Sequence, residues 1–174
     1  SHRDLLNDTC FKACYLVKNL LDNYDRMESF GYWCLTDFIE ELQIPGQLFH
    51  GGLGMFTFSK IPKAHYNAFC LMSHLGDWMI GRGNGYFITK TYSGLSMILY
   101  NYEHFSRLFA RGEFFRMTNE NRYTPFTRMD SVFFQVVIKN LPGKKCLIKE
   151  QFINQEHGSS FDLWVKMGAS QVIP

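Results

Sequence analysis

Ser29-Phe-Gly-Tyr-Trp-Cys-Leu35, running straight into Thr36-Asp-Phe-Ile-Glu-Glu41, is the segment on which the architecture turns. The first seven residues are aromatic and apolar and carry no helical period, so they predict a short buried strand. The chain before them reads as a helix. From Asp8 to Tyr24, Cys10, Ala13, Cys14, Val17, Leu20, Leu21 and Tyr24 fall on one face, and Lys12, Lys18, Asn19, Asp22 and Asn23 mostly on the other. Asn7, Asp8 or Thr9 can cap it. After the strand, residues 36–53 read as a loop rich in acids and glycines. Pro62 then sits where a second helix would begin. His65, Ala68, Phe69, Met72 and Leu75 share a face of that helix, and Gly76 is the candidate cap at its end.

Beyond Asp77 the apolar period changes from helical to two. Residues 86–91, 95–100, 132–138 and 145–153 predict strands. The run Asn140-Leu-Pro-Gly-Lys144 predicts a turn between the last two, and Gly81-Arg-Gly-Asn-Gly85 a turn before the first. That glycine run lacks the Lys-Ser/Thr and the following helix of a phosphate loop. One strand between two helices cannot close a sheet alone, so residues 1–77 read as the closing α–β–α unit of a (β/α)8 barrel. Residues 78–174 read as an antiparallel β-sandwich with the C-terminal tail packed back on it. The fold class expected is therefore α+β.

Bulk properties narrow the functional classes. The 174 residues are 46% hydrophobic, which excludes a disordered chain, and a net charge of +2 gives no nucleic-acid footprint. No apolar run reaches the length of a membrane helix. The five cysteines form no CxxC pair, and their apolar surroundings predict reduced thiols in a cytoplasmic protein. Cys10 and Cys14 stand at helical spacing, but two ligands do not make a metal site. No cofactor and no metal are expected.

The candidate ligand-binding residues are Trp33, Asp37, Glu40, Glu41 and His50. A tryptophan face stacks on a sugar ring, and carboxylates beside it accept hydroxyl hydrogen bonds. Equally, Trp33 could be core, with Glu40 and Glu41 merely solvated. Neighbours in sequence need not converge on one bond, so Glu40 and Glu41 are not assigned as acid and nucleophile. In Phe49-His-Gly-Gly-Leu-Gly54, His50 could bond a hydroxyl, or the run could be a plain turn. The tail Glu156–Ala169 reads as a structural clasp anchored by Phe161, Trp164, Val165 and Met167.

In order along the chain, Asn7-Asp-Thr9, Tyr32-Trp33 with Asp37, Glu40 and Glu41, and His50-Gly-Gly-Leu-Gly54 resemble family-39 glycoside hydrolases, the β-xylosidase family. Ile61-Pro-Lys63 with Tyr66 and Phe69, Leu75-Gly-Asp77, Glu156-His-Gly-Ser159 and Trp164-Val-Lys-Met-Gly168 continue the resemblance. It implies a (β/α)8 barrel with a β-sandwich, and retaining hydrolysis of β-xylosides by two glutamates. Both glutamates would lie upstream of Ser1, so neither transfers to a residue here, and the chain is expected to be inactive as it stands. The stretches Arg3–Thr9, Gly85–Thr89 and Leu99–Tyr102 also resemble modules at the C-terminus of AraC/XylS-type transcriptional regulators. That setting implies a sugar- or ligand-sensing module, with DNA bound through a separate helix-turn-helix rather than this segment. The partners expected are a xyloside-like carbohydrate and, through unpaired apolar faces such as Ser29–Leu35, a further copy of the chain; no membrane is expected.

Overall fold

The computed structural model describes residues 4–39, 46–112, 117–127, 130–140 and 145–170. Four helices and three strands follow in the order α1 (Cys10–Asp22), α2 (Ala64–Met72), β1 (Trp78–Gly83), β2 (Tyr86–Lys90), β3 (Leu95–Leu99), α3 (Arg107–Ala110) and α4 (Ser160–Lys166). Short 3-10 helices at Leu5–Asp8 and Asp37–Ile39 complete the set among the described residues.

Helix α1 forms because its apolar positions recur at three and four residues. It buries Ala13, Leu16, Val17 and Leu21, the second of which falls outside the face read from sequence. Thr9 is its N-cap residue, but the Thr9 hydroxyl donates to the Leu6 carbonyl (2.7 Å) and makes no side-chain cap. Helix α2 begins two residues later than Pro62 suggests. Pro62 precedes Lys63, which is the cap residue, and the helix ends at Met72, with Ser73 as its C-terminal cap, rather than near Gly76. Gly76 is required for another reason: a Cβ there would lie 2.1 Å from the Lys90 carbonyl oxygen. Ala64 and Ala68 of α2 pack against Ala13, Val17 and Leu21 of α1, and Phe87 of β2 closes the cluster. The small side chains of α2 let the two helices approach closely.

The three strands form one antiparallel sheet in the order β1-β2-β3, with Tyr86 opposite Leu99 and Phe87 opposite Ile98. Two of these strands were legible from their alternation. The first was not: Gly81 and Gly83 belong to β1, so only Asn84-Gly85 makes the turn, and Gly85 at φ +82° supplies its left-handed residue.

Two expectations are corrected. Ser29–Leu35 forms no strand. Its backbone finds only a short partner: the Cys34 and Leu35 carbonyls accept from Met55 and Phe56 N–H (both 3.0 Å), ending in the isolated parallel bridge Thr36–Phe56. The segment nonetheless keeps a two-residue alternation, with Cys34 buried and Trp33 and Leu35 exposed. Met55 and Phe56 thus occupy part of the backbone through which a second copy was expected to pair. Nor do residues 132–138 and 145–153 form strands. Period-two patterning stabilises a strand only when a ladder forms and one face is covered. Here no ladder reaches them among the described residues, and Phe133 (94%) and Leu147 (95%) stay exposed. The turn expected at 140–144 falls mostly outside the described residues.

The C-terminal tail does act as a clasp, and it does so as a helix. Ser159 caps α4 by accepting from Asp162 N–H (3.3 Å), and Phe161 and Trp164 are buried against Leu48 and Phe49. Met167, expected as an anchor, is exposed. No disulfide joins the cysteines among the described residues; Cys70 and Cys146 are exposed, against the buried setting read from sequence. No helix among the described residues is long and apolar enough to cross a membrane.

Candidate functional site

Four charged side chains, Asp8, Asp37, Lys63 and Arg122, are completely buried and form one connected group. Removing a charge from water is costly unless it is paired and fully hydrogen-bonded, so such a group has to be built with care. Asp8 is brought in by the 3-10 turn before α1, which Asp4 caps by accepting from Leu6 N–H (2.9 Å). Lys63 arrives as the residue before α2, and Asp37 opens the 3-10 turn just after the Trp33 segment.

Lys63 Nζ donates to Asp37 Oδ1 (3.0 Å) and the Gly52 carbonyl (2.9 Å), and is ion-paired with Asp8 Oδ1 (2.9 Å) and Asp37 Oδ2 (2.8 Å). Arg122 donates through Nη1 to Asp8 Oδ2 (2.6 Å) and the Leu5 carbonyl (3.0 Å), and through Nη2 to the Phe49 carbonyl (2.7 Å) and Asn119 (2.8 Å). Its guanidinium lies 4.3 Å from the centre of the Phe161 ring. Two acids balance two bases. Burial alone would raise the Asp8 carboxyl, but Lys63 and Arg122 outweigh it and hold Asp8 below the ordinary carboxylate value. Asp37 is the opposite case. Burial raises it, the Asp8 charge adds to the rise, and the pull of Lys63, which Asp37 shares, does not cancel them.

The glycine run 49–54 wraps this group, and its geometry explains its composition. Gly51 N–H donates to Asp8 Oδ2 (2.7 Å), Gly54 N–H donates to Asp37 Oδ1 (2.8 Å), and the Gly51 carbonyl accepts from Asn7 (3.0 Å). A Cβ on Gly54 would sit 2.2 Å from Asp37 N, and Gly51 has φ +79° with the Asp4 carbonyl where its Cβ would be. The backbone comes this close to side chains of the protein itself. The run is therefore neither a plain turn nor a loop free to wrap a ligand.

Of the residues singled out from sequence, Trp33 is 65% exposed and stands at the surface as a ligand platform would require. That disposes of the alternative in which it is core. Asp37 is corrected: fully buried and held by Lys63 and Gly54, it cannot accept a hydrogen bond from a bound sugar. His50 is corrected likewise. It is 3% exposed, its Nδ1 donates to the Gln47 carbonyl (3.1 Å), and its Nε2 lies 3.9 Å from Asp37 Oδ2. Glu40 and Glu41 lie outside the described residues. Cys10 and Cys14 make no shared ligand pair: Cys10 Sγ faces Asp162 (3.5 Å) and Cys14 Sγ the Asn101 carbonyl (3.3 Å). Burial, with the Asp162 charge adding, pushes the Cys10 thiol up to about 12. No group of metal-ligating side chains occurs among the described residues.

Sequence reading missed Lys63, Arg122, Asp8 and His65 as members of the site. A lysine wedged between Pro62 and the apolar start of α2 was the one available signal; nothing local marks Arg122. His65 is fully buried beneath Tyr32, donating through Nε2 to the Gly54 carbonyl (3.0 Å), while Nδ1 has no partner. Burial, helped by Lys63 and Lys12, lowers its pKa to about 3. The unfolded chain, with an ordinary histidine value of 6.5, then binds more protons than the folded one between pH 6.5 and 3, so stability falls as pH falls through that window. A loss of about 2 kcal/mol between pH 8 and pH 5 is expected from this residue. Asp37, held above its ordinary value, has the opposite sign. Denaturant titrations of wild type and His65→Gln over that range isolate the histidine: the variant's stability should be flatter with pH, and parallel curves would contradict the assignment.

Comparison with known proteins agrees on one family. Glycosyl hydrolases family 39 matches residues 1–173. A β-xylosidase of Geobacillus stearothermophilus is 29% identical over 164 residues, which is 94% of this chain and 28% of that protein. A β-xylosidase of Caldicellulosiruptor saccharolyticus is 26% identical over 170 residues, 97% of this chain and 32% of that protein. Among solved structures, a monomeric β-xylosidase from Caulobacter crescentus CB15 superposes on all of this chain and 34% of its own, with a TM-score of 0.68 at 15% identity. The family-39 enzyme of Xanthomonas axonopodis pv. citri covers 62% of this chain and 21% of its own, with a TM-score of 0.56 at 20% identity. The chain thus spans about a third of the length of these relatives. With its match running nearly end to end, this chain belongs to glycosyl hydrolases family 39.

Proposed function

We propose that this chain is the carbohydrate-facing segment of a β-xylosidase-like glycoside hydrolase, in which Trp33 is a stacking platform for a β-xyloside. The observation that carries this reading is an exposed indole on a segment fixed from beneath. Trp33 is 65% exposed, yet Tyr32 OH donates to the Leu53 carbonyl (2.7 Å) on one side and Asp37 N–H to the Phe56 carbonyl (2.9 Å) on the other. Stacking on a large ring whose flanking residues are already fixed costs little further backbone ordering. The β-xylosidase names of the relatives favour this setting over a ligand-sensing module of a transcription regulator. In this reading, residues 1–77 are the barrel portion and residues 78–174 the β-sandwich portion, of which the β1-β2-β3 sheet is the part formed.

Asp8 and Asp37 do not perform the hydrolysis. Each is fully buried and serves as an ion-pair partner, whereas a glycosidase needs two accessible carboxyls facing each other across the bond. The chain's own part is to bind and orient the sugar. Isothermal titration with xylotriose tests it: the wild type is expected to bind and Trp33→Ala to bind roughly tenfold more weakly, a difference of about 1.4 kcal/mol. Equal affinity in the two proteins would remove Trp33 from the site.

A further inference from the structure

We propose that Lys63 is a positioning residue for the Trp33 platform, acting through Asp37; the inference rests on the proposed function for its sugar and on the geometry for its residues. The Lys63 ammonium donates to Asp37 Oδ1 (3.0 Å) and the Gly52 carbonyl (2.9 Å) and is ion-paired with Asp8 Oδ1 (2.9 Å). Each carboxylate it fixes in turn holds an amide of the glycine run, Gly51 for Asp8 and Gly54 for Asp37. The Lys63 backbone N–H donates to the Met55 carbonyl (2.9 Å), beside the residue whose amide meets Leu35. One residue thus joins the turn before α1, the glycine run and the segment that presents Trp33.

A buried ion pair is an uneconomical way to gain stability. Apolar groups of the same volume often serve as well or better, whereas a directional, charge-assisted contact fixes geometry. The segment it fixes here lies in no sheet among the described residues: Cys34 and Leu35 each accept one backbone hydrogen bond, and Thr36 makes an isolated bridge to Phe56. Side chains add to the few backbone hydrogen bonds that fix the aim of Trp33, and Asp37 is four residues away on the same stretch.

Charge balance separates positioning from mere stability. Lys63→Met leaves the buried group one negative charge in excess and is expected to be strongly destabilised. Lys63→Met combined with Asp37→Asn restores neutrality, keeps the shape of residue 37 and leaves the Asp8–Arg122 pair intact. The full chain carrying 5-fluorotryptophan gives one 19F resonance for each of its three tryptophans, assigned by single Trp→Phe variants. In the double variant, stability should recover most of the way. The Trp33 resonance should shift and broaden while those of Trp78 and Trp164 stay in place, and xylotriose affinity should fall about tenfold. A folded double variant with an unmoved Trp33 resonance and wild-type affinity would overturn the proposal. If the double variant does not fold, Asp37→Asn alone decides: a moved Trp33 resonance supports the proposal and an unmoved one overturns it. Failure of the wild type to bind xylotriose would count against the sugar reading, while the 19F comparison still decides the role of Lys63.

Discussion

Arg122→Met is expected to destabilise the chain by about 3–5 kcal/mol, the usual consequence of taking one partner from a buried ion pair. The methionine fills much of the volume, so little of the loss comes from a cavity. What remains is Asp8, fully buried and still paired with Lys63, while the carbonyls of Leu5 and Phe49 lose the Arg122 donors. The same contrast predicts the direction of change with pH. Asp8 is held below its ordinary value, so its contribution is present above the unfolded carboxylate value and is lost as pH falls through the folded one. Without Arg122 that contribution shrinks, and the gap between variant and wild type should narrow on acidification. Urea unfolding at neutral and acidic pH measures both effects. A loss under about 1 kcal/mol at neutral pH would show that Asp8 has another way to be satisfied.

Trp164→Ala is expected to cost a similar amount, about 3–5 kcal/mol, for a different reason. Trp164 is 5% exposed, its ring centre is 5.2 Å from that of Phe49, and its Nε1 donates to the Ser170 carbonyl (2.6 Å). Truncation opens a cavity beneath the glycine run and releases the main anchor of α4. Because the Phe49 carbonyl also receives Arg122, loosening this cluster should reach the ion group. The Arg122→Met and Trp164→Ala losses should therefore fall short of adding in the double variant. Strict additivity would mean that clasp and ion group are independent.

These residues also show which parts of the molecule a sequence can reveal. Helices α1 and α2 and strands β2 and β3 were legible because their apolar residues repeat within the element itself. Strand β1 was hidden by Gly81 and Gly83, which read as turn residues and are in fact places where the Tyr86 ring and the neighbouring strand pass close. The Ser29–Leu35 segment has strand chemistry, but its pairing with residues 55 and 56 stops at the isolated Thr36–Phe56 bridge, and pairing cannot be read from one side of a ladder. Trp33 was singled out by type and position, and the structure places it at the surface. Asp37 and His50 were recognised as special for the wrong reason: a carboxylate and an imidazole near a tryptophan look the same in sequence whether they face a ligand or an internal lysine. Arg122 reaches Asp8 across 114 residues and gives no local signal at all.

In the proposed function, Trp33 is presented to a sugar by a charge-braced segment. The most direct measurement follows the three indole N–H resonances by 15N–1H NMR as xylotriose is added. The Trp33 resonance should move in a saturable way, while Trp164, buried in the clasp, and Trp78, on β1, stay fixed. Movement of Trp78 or Trp164 with Trp33 unchanged, or no movement of any indole at saturating xylotriose, would contradict it.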